Sequence, residues 1–557
     1  MQADLVMRGG TVVDGTGSPP RRADVAVQGG RIVGVGEGFA GTEVIDVTDR
    51  IVAPGFFDIH THYDAQVFWD PALSSSCWHG VTSVVAGNCG FSIAPTREPQ
   101  RRSIVRTLQA VEDMSEVMLN AGIDWSFETF REYLSVVEAR GTILNYGCYV
   151  GHSPVRLYVM GDEGYEREAS DEEISRMRAV VADAMRSGAL GFASSFSANH
   201  RGDRGLPVPS RQGTKEEFIR LASVLGELGC GAVAYAPGQP VSWRDSYEIQ
   251  PLIGRPLMWT PMLTTYPEAD YLAMTKIHRD GRAAGSDVRP QVTCLPLKIQ
   301  LRMDNPYYFR TVPIFLELLG CDKADFPRFY RDPTWRAEAA RQVPDVKPPV
   351  IWHKFFVAET TTHPELVGRD VASIAAERRC SEIDVICDTS LDDDLDTRFL
   401  VVLSNDEDGP VIDLMTQPGV VFGQSDAGAH VAQLCDANMP TELLAHWVRD
   451  RGALTLEHAV HKLTAELADV YGLADRGRVA AGAAADIVVI DMAEIDPGPL
   501  RRVRDLPGGE ERLVADAPRG IDHVFVNGRA ITRHGESLVA TMRDRPGQLL
   551  RTQVAQP

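Results

Sequence analysis

The chain is organised around the stretch Pro54-Gly55-Phe56-Phe57-Asp58-Ile59-His60-Thr61-His62. The apolar run from Val52 to Ile59 predicts a short buried strand. Side chains of a strand alternate between its faces, so His60 and His62 point to one side, about 7 Å apart, and both imidazoles can hold one metal ion. A His-x-His pair is more often two ordinary histidines, but its position at the end of an apolar strand favours a metal site.

The length and charge of the chain bound its class. At 557 residues it is too long for one ordinary core, so two or more domains are expected. The formal charge of −21 disfavours nucleic acid and anionic membranes as partners, because a polyanion would be repelled. We therefore predict a small-molecule substrate, no nucleic-acid or membrane partner, and a possible homo-oligomer.

The N-terminus and the cysteines bear on the compartment. Residues 1–7 have neither the basic start nor the apolar core of a signal peptide, and no window reaches about 18 uninterrupted apolar residues. The nine cysteines are scattered without paired spacing, which is typical of reduced thiols. These features predict a cytoplasmic protein.

The two ends of the chain have the same sequence pattern. Short Val- and Ile-rich runs separated by glycine turns fill residues 1–54 and return after residue 477. Neither half has enough strands to bury both faces alone. We therefore predict a discontinuous β-sandwich domain made of residues 1–54 and 477–545.

The middle of the chain, residues 55–476, alternates short apolar runs with amphipathic helical patterns, and Ser170 with Glu173 predicts a capping box. This alternation predicts an α/β fold, a (β/α)8 TIM barrel with its active site at the C-terminal strand ends. The eight predicted strands are Val52 to Ile59, Thr82 to Ala86, Thr142 to Val150, Gly188 to Ser194, Gly231 to Tyr235, Pro256 to Leu263, Pro290 to Cys294 and Val420 to Gly423.

A long segment, residues 297–418, separates the seventh and eighth predicted strands. Barrel connections are usually far shorter, so this segment is an insertion with structure of its own. Because it leaves and returns at the catalytic face, we interpret it as a lid or substrate wall, with a peripheral decoration as the alternative.

Two further residues belong near the histidine pair. Cys89 ends the second strand, next to the first, and a thiolate beside two imidazoles is a zinc ligand, although a lone cysteine is usually a small buried hydrophobe. Asp426 follows the eighth strand, which adjoins the first in a closed barrel. Its carboxylate can bind the metal and take a proton from the attacking water, and a helix cap is its alternative role.

These motifs resemble the amidohydrolase superfamily, in which an Asp-x-His-x-His element ends the first barrel strand and a segment similar to Gly477 to Val488 opens the C-terminal half. The element Gly87-Asn88-Cys89-Gly90 resembles the D-aminoacylase branch, the N-acyl-D-amino-acid deacylases. Three further segments resemble the same branch, namely Val150-Gly151-His152, residues 188–192 and Gly368-Arg369-Asp370. The resemblance implies a zinc-activated water that attacks an N-acyl amide, a cysteine among the metal ligands, and the last-strand aspartate as general base and acid.

The chain departs from this branch at strands five and six. Members carry a histidine at the end of strand five and a His-His-Lys-like element at strand six, where this chain has Ala234-Tyr235-Ala236 and Met258-Trp259-Thr260. The branch's tight zinc site cannot assemble in the same way. His60, His62, Cys89 and Asp426 remain as metal ligands for one or two divalent ions, most readily zinc.

Five more residues follow barrel strands on the side of the predicted site. His152, Arg156, His200, Arg201 and His430 are candidates for contact with substrate, because a guanidinium matches the geometry of a carboxylate and an imidazole can bind substrate or metal. For each arginine, a solvated surface position is the alternative.

The sequence thus predicts a metal-dependent hydrolase of carbon–nitrogen bonds other than peptide bonds, which deacylates an N-acyl amino acid or a related small amide. One alternative is a divergent enzyme of the same fold that hydrolyses a cyclic amide, or a metal-poor isomerase or decarboxylase, or one that uses Cys89 as nucleophile. A non-catalytic scaffold is the other alternative. Metal content separates these hypotheses.

Overall fold

The computed structural model describes residues 2–202, 205–266, 269–309, 312–345 and 350–553. Its centre is a sheet of eight parallel strands in sequential order. A parallel bridge joins Thr61 to Ala427, and the amide of His62 donates to the carbonyl of Ala427 at 2.7 Å, so strands one and eight meet. The predicted (β/α)8 barrel is confirmed. Its strands are Phe56–Asp58, Val81–Ala86, Asn145–Gly151, Gly191–Ser195, Ala232–Ala236, Leu257–Trp259, Val288–Val292 and Val421–Phe422.

The predicted single strand from Val52 to Ile59 is wrong, because two strands occupy this run. Ile51–Pro54 pairs with strands from both chain ends, and Phe56–Asp58 is the first barrel strand. The change of sheet occurs at Gly55, whose amide donates to the carbonyl of Asp486 at 2.9 Å. A Cβ atom at Gly55 would lie 2.1 Å from Cγ2 of Thr82, so only glycine fits here.

The two ends of the chain form one nine-stranded sheet. It encloses a core in which Met7, Val25, Ile487 and Phe525 are buried. The strands are Gln2–Val12, Arg21–Gln28, Arg31–Gly36, Ala40–Asp46, Ile51–Pro54, Ile487–Ile490, Ile521–Val526, Arg529–Arg533 and Glu536–Ser537.

Helices cover the barrel and fill the insertion. The capping box at Ser170 is present, since its hydroxyl accepts from the amide of Glu173 at 3.3 Å. The helices are Tyr63–Gln66, Glu98–Val111, Glu116–Gly122, Phe130–Arg140, His152–Met160, Asp171–Arg186, Lys215–Leu228, Ser246–Ile253, Tyr271–Ala283, Pro313–Leu316, Phe326–Arg331, Pro333–Gln342, Val371–Arg378, Glu382–Asp392, Asp408–Met415, Met439–Glu442, Leu443–Asp450, Leu456–Leu463 and Ala465–Val470. Within the described ranges, no helix has both the length and the apolar character needed to cross a membrane.

The insertion has its own sheet and core. It leaves after the seventh barrel strand and returns before the eighth, and its antiparallel strands are Leu297–Arg302, Phe355–Glu359 and Arg398–Ser404. The amide of Gln300 donates to the carbonyl of Gln433 at 2.9 Å, which ties the insertion to the loop after Asp426. The role of this segment as lid or wall stays a prediction. Its core contains the buried aromatic side chains of Phe309, Phe315, Tyr330, Trp335, Phe355 and Phe399.

The last described residues run along the N-terminal face of the barrel. The amide of Tyr146 donates to the carbonyl of Gln548 at 2.9 Å, and the amide of Leu550 donates back to the carbonyl of Tyr146 at 2.8 Å. The side chain of Leu550 is buried among the strand ends. This tail therefore belongs to the barrel and not to the sheet formed by the chain ends.

Candidate metal centre

The C-terminal ends of the first, second and eighth barrel strands bring the four predicted ligands together. Nε2 of His60 lies 3.0 Å from Oδ1 of Asp426, and Nε2 of His62 lies 3.6 Å from the same oxygen. Sγ of Cys89 lies 3.7 Å from Nε2 of His60. The two imidazoles are buried, whereas the carboxylate side chain is 30% exposed. The cluster is therefore open to a substrate on the Asp426 side.

The charges within this cluster suit a cation. Burial disfavours a charged His60, yet the carboxylate of Asp426 outweighs it and raises the pKa of His60 to about 10. Against the same effect of burial, Glu112 and Asp426 hold the pKa of His62 well above its ordinary value. Surplus negative potential of this kind attracts a proton or a metal ion. Two imidazoles, a thiol and a carboxylate are the donor types that zinc takes, so the residues fit a divalent metal.

Two residues that sequence reasoning missed orient the histidines. Nδ1 of His60 lies 2.6 Å from Oε1 of Gln291 on the seventh strand, and Nδ1 of His62 lies 3.6 Å from Oε1 of Glu112. These contacts direct both Nε2 atoms toward the centre. The position of a polar Gln291 on a predicted barrel strand was a signal for it, whereas no pattern marks Glu112, which directly follows the helix Glu98–Val111.

Asp58 links the strands that carry the metal ligands. Its carboxylate accepts hydrogen bonds from Ser425 at 2.7 and 2.8 Å and from Ser76 at 3.1 Å. Burial raises the pKa of Asp58 to about 6. Ser425 also donates to the carbonyl of His60 at 3.0 Å, so these residues tie strand one to strand eight. The signal for Asp58 was its position two residues before His60, on the same face.

The backbone around the centre is strained. Positive φ angles, which are uncommon for residues other than glycine, occur at Cys89 (53°), Gln424 (80°), Asp426 (45°) and His430 (49°). Such conformations persist where the surrounding structure enforces them, and they concentrate at functional sites. Here the positive φ angles of Cys89 and Asp426 set the directions in which these two ligands point.

Comparison with known proteins identifies the family. The model of the amidohydrolase family matches residues 43–249 and 355–532, which is more than half of the chain.

The chain belongs to the amidohydrolase family.

This amidohydrolase has full-length relatives. It is 29% identical to the D-aminoacylase of Alcaligenes xylosoxydans xylosoxydans over 533 residues, which cover 95% of this chain and 94% of the relative. It is 28% identical to the N-acyl-D-glutamate deacylase of the same organism, over 98% of this chain and 96% of the relative. A crystal structure of D-aminoacylase superposes with a TM-score of 0.67 at 26% identity, over 99% of this chain and 100% of the other.

These similarities confirm the predicted D-aminoacylase branch. A second structure of D-aminoacylase, described by its binuclear metal centre, has a TM-score of 0.66 at 26% identity, over 99% and 100% of the two chains. Together with the donor set on strands one, two and eight, these matches indicate a divalent metal as the cofactor of this amidohydrolase.

The aromatic side chains of strands five and six of this amidohydrolase, Tyr235 and Trp259, pack against the helical layer around the barrel, Tyr235 against Phe218 of the helix Lys215–Leu228. The hydroxyl of Tyr235 donates to the carbonyl of Ser242 at 2.9 Å, and the ring of Trp259 lies 5.6 Å from that of Trp243. Both side chains are fully buried. On strand six the thioether of Met258 faces the centre instead, since its sulfur lies 3.9 Å from Nε2 of Gln291, the partner of His60.

The structure gives His152 and Arg156 other partners than substrate. Nε2 of His152 and Nη1 of Arg156 lie 2.7 and 2.5 Å from Oε1 of Glu217, and Nδ1 of His152 lies 2.8 Å from the hydroxyl of Ser194. All four side chains are buried. A buried, ion-paired cluster of this kind is typical of a structural role, and substrate contact by these two residues stays a prediction without support in the geometry.

The other three candidates lie around the centre. Nε2 of His430 lies 3.7 Å from Oε2 of Glu112, and the backbone amide of His430 donates to the carbonyl of Glu112 at 2.7 Å. His200 packs its ring edge-on against Phe91 at 5.2 Å. Arg201 is exposed and donates to the carbonyl of Gly205 at 3.1 Å. Their contact with substrate stays a prediction.

Proposed function

We propose that this amidohydrolase hydrolyses the amide bond of an N-acyl amino acid, with zinc as its metal. The observation that carries the proposal is the convergence of His60, His62 and Asp426, whose nitrogen and oxygen atoms lie 3.0 and 3.6 Å apart at an open strand end. The names of the relatives, D-aminoacylase and the N-acyl-D-glutamate and N-acyl-D-aspartate deacylases, support this substrate class and a D configuration.

The residues divide the chemistry between them. His60, His62 and Asp426 would hold the metal, with Cys89 as a fourth ligand. When bound, zinc supplies a Lewis acid for the amide carbonyl and lowers the pKa of a coordinated water. Both imidazole contacts of Asp426 use Oδ1, so we assign proton transfer to Oδ2, which takes the proton of the attacking water and gives it to the leaving amine nitrogen. The product pair is a carboxylic acid and a free amino acid.

The test is a substrate panel on protein of measured metal content. N-acyl-D-amino acids, N-acyl-L-amino acids and cyclic amides are incubated with wild type and with Asp426→Asn, and free amino acid is quantified. We expect release from N-acyl amino acids, and a decrease in kcat of about 100-fold or more in the variant, because it loses the proton acceptor.

The matched control is Asp413→Asn, which changes an exposed carboxylate on the helix Asp408–Met415 and should leave turnover unchanged. Hydrolysis of cyclic amides alone, or full activity in protein free of metal, would contradict the proposal.

A further inference from the structure

His200 follows the fourth barrel strand and is not among the four predicted ligands. It lies five residues after the end of the strand Gly191–Ser195, at the same end of the barrel as the ligands, and the charges of His62, His430 and Asp426 act on its pKa. Edge-on packing against Phe91, two residues after Cys89, fixes the plane of the ring at a centroid distance of 5.2 Å. The side chain is therefore held beside the metal centre in one orientation.

The hydrogen bonds of Ser195 determine which ring nitrogen of His200 carries the proton. The hydroxyl oxygen of Ser195 lies 2.6 Å from Nδ1 of His200 and accepts from the amide of Ser197 at 3.2 Å. Within the described ranges, Nδ1 is the acceptor available to the single hydroxyl hydrogen. The hydroxyl therefore donates to Nδ1, which places the imidazole proton on Nε2.

The opposite tautomer fits the contacts less well. A metal bound at Nε2 would require a proton on Nδ1, donated to the hydroxyl oxygen of Ser195 together with the amide of Ser197. The hydroxyl hydrogen would then have no acceptor among the residues that the structure describes. His200 is thus arranged as a donor at Nε2 and not as a metal ligand.

The ring of His200 is also neutral. Burial is the main effect on its pKa and lowers it to about 3. A neutral imidazole keeps its Nε2 proton throughout the physiological range, which suits a group that polarises a carbonyl without giving up a proton. In the described part of the chain, Nε2 of His200 has no hydrogen-bond partner.

We propose that Nε2–H of His200 donates a hydrogen bond to the carbonyl oxygen of the scissile amide and stabilises the negative charge that develops there when water attacks. The proposal rests on the proposed amide hydrolysis and adds a catalytic residue to it. The carbonyl oxygen gains the electron pair of its π bond, the proton stays on Nε2, and collapse of the tetrahedral species returns the pair as the bond to the amine breaks.

Two residues position this donor. Ser195 sets the tautomer through Nδ1. Arg211 donates from Nη1 to the carbonyls of Ala198 and His200 at 3.2 and 3.3 Å, which fastens the loop that carries the ring. Donors that are fixed before the reaction cost no reorganisation when charge develops, which is the condition for this kind of catalysis.

The tautomer is tested without any substrate. Metal-loaded protein labelled with ¹⁵N-histidine is examined by NMR between pH 6 and 8, and the His200 signals are assigned by their loss in His200→Ala. We expect the neutral ring with its proton on Nε2 throughout, and a shift of population to Nδ1–H in Ser195→Ala. A proton on Nδ1 in the wild type, or a charged ring at pH 7, overturns the proposal.

Kinetics test the catalytic role. With an N-acyl amino acid that the wild type hydrolyses, His200→Ala should lower kcat by about 100-fold to 1000-fold with little change in KM and no loss of metal, because the donor acts mainly in the transition state. His200→Gln, which restores an N–H donor at similar reach, should recover at least part of this loss.

The outcomes separate this proposal from the one on which it rests. A wild type that releases no amino acid from any N-acyl substrate contradicts the proposed function. A wild type that is active while His200→Ala stays within threefold of it overturns only the role of His200. Loss of metal from His200→Ala also overturns it and would make His200 a ligand.

Discussion

Each histidine of the first barrel strand has its Nδ1 engaged, which directs its Nε2 toward the metal centre. The two partners differ in kind, because an amide oxygen of Gln291 faces His60 and a carboxylate of Glu112 faces His62. A carboxylate raises the basicity of a ligating imidazole more than a neutral amide does. His62 is therefore the ligand whose affinity for metal depends most on a neighbour's charge.

Glu112→Gln tests this dependence. The substitution removes the charge but keeps the size, and we expect the affinity for zinc to fall about 10-fold to 100-fold, the range found when such partners of ligands are changed. Competition with a chelator of known affinity measures the change. Glu138→Gln alters an exposed carboxylate paired with Arg551 and serves as the control. An unchanged affinity in Glu112→Gln would show that His62 binds without help from this carboxylate.

At the scale of residues, strand alternation sufficed to place His60 and His62 together, and barrel closure brought Asp426 to them. Glu112 could not be found in this way, since its approach to His62 depends on how a helix and a loop after strand two pack over the barrel. Sequence reasoning placed His152 at the correct strand end but could not show that Glu217, 65 residues later, occupies its Nε2.

Among the elements, the segment before the second barrel strand is fastened by one buried imidazole. Nδ1 of His79 lies 2.9 Å from the hydroxyl of Thr441, and Nε2 lies 2.7 Å from the carbonyl of Ala515. Burial lowers the pKa of His79 to about 4, so the ring is neutral in the folded protein. Protonation would place an unsolvated charge at the meeting point of three segments.

His79 therefore makes stability depend on pH. The unfolded residue binds a proton near pH 6.5 and the folded one only near pH 4, so the unfolded state takes up more protons as the pH falls through this window. The contribution of His79 to the free energy of unfolding is complete above about pH 7, and about 2 kcal/mol of this contribution is lost when the pH falls to 5.

Urea unfolding at pH 7.5 and pH 5 measures this loss. In His79→Gln the decrease in the free energy of unfolding between the two pH values should be smaller than in the wild type by about that 2 kcal/mol. His353→Gln is the control, because His353 is 77% exposed. Equal decreases in His79→Gln and wild type would show that His79 is not the group that responds.

Element boundaries show where sequence patterns fail. The apolar run from Val52 to Ile59 is continuous in sequence, and only the close approach of Thr82 to Gly55 reveals that two sheets share it. The amphipathic pattern of residues 456–471 likewise runs without a break, yet it forms the two helices Leu456–Leu463 and Ala465–Val470, since Thr464 leaves the helical conformation and its hydroxyl donates to the carbonyl of Val460 at 2.6 Å.

In the molecule as a whole, one buried carboxylate joins the sheet of the chain ends to the barrel. Asp486 pairs with Arg476, and it accepts hydrogen bonds from the amide of Asn527 at 2.7 Å and from Nδ2 of Asn145 at 2.9 Å. Asn145 begins the third barrel strand and Asn527 follows a strand of the outer sheet. The carboxylate thus fixes how the two parts meet.

Removal of this carboxylate should destabilise the protein strongly. Asp486→Ala leaves the charge of the buried Arg476 without a carboxylate partner, and we expect the free energy of unfolding to fall by about 3 to 5 kcal/mol. Asp544→Ala breaks an exposed ion pair, in which the side chain of Asp544 is 72% exposed and that of Arg529 is 65% exposed. This substitution should lower the free energy of unfolding by less than about 1 kcal/mol. Equal midpoints of urea unfolding for the two variants would contradict the junction role of Asp486.

Much of the overall architecture follows from the sequence, because the barrel repeats one pattern eight times and turn residues mark the strands of both chain ends. The path of residues 546–552 does not follow, since Leu550 docks through a contact with Tyr146 that no local pattern encodes. The internal fold of the insertion is similarly set by packing among its own aromatic side chains.

The strand Ile51–Pro54 lies between the N-terminal strand and Ile487–Ile490, which is made roughly 430 residues later. At ribosomal rates of about 5 to 20 residues per second, the nascent chain carries an unpaired Val- and Ile-rich strand edge for about 20 to 90 s. Such an edge is a template for pairing between chains. Yield in cells is therefore set in part by whatever shields this edge until the C-terminal strands emerge, and slower translation of the insertion would lengthen the exposure.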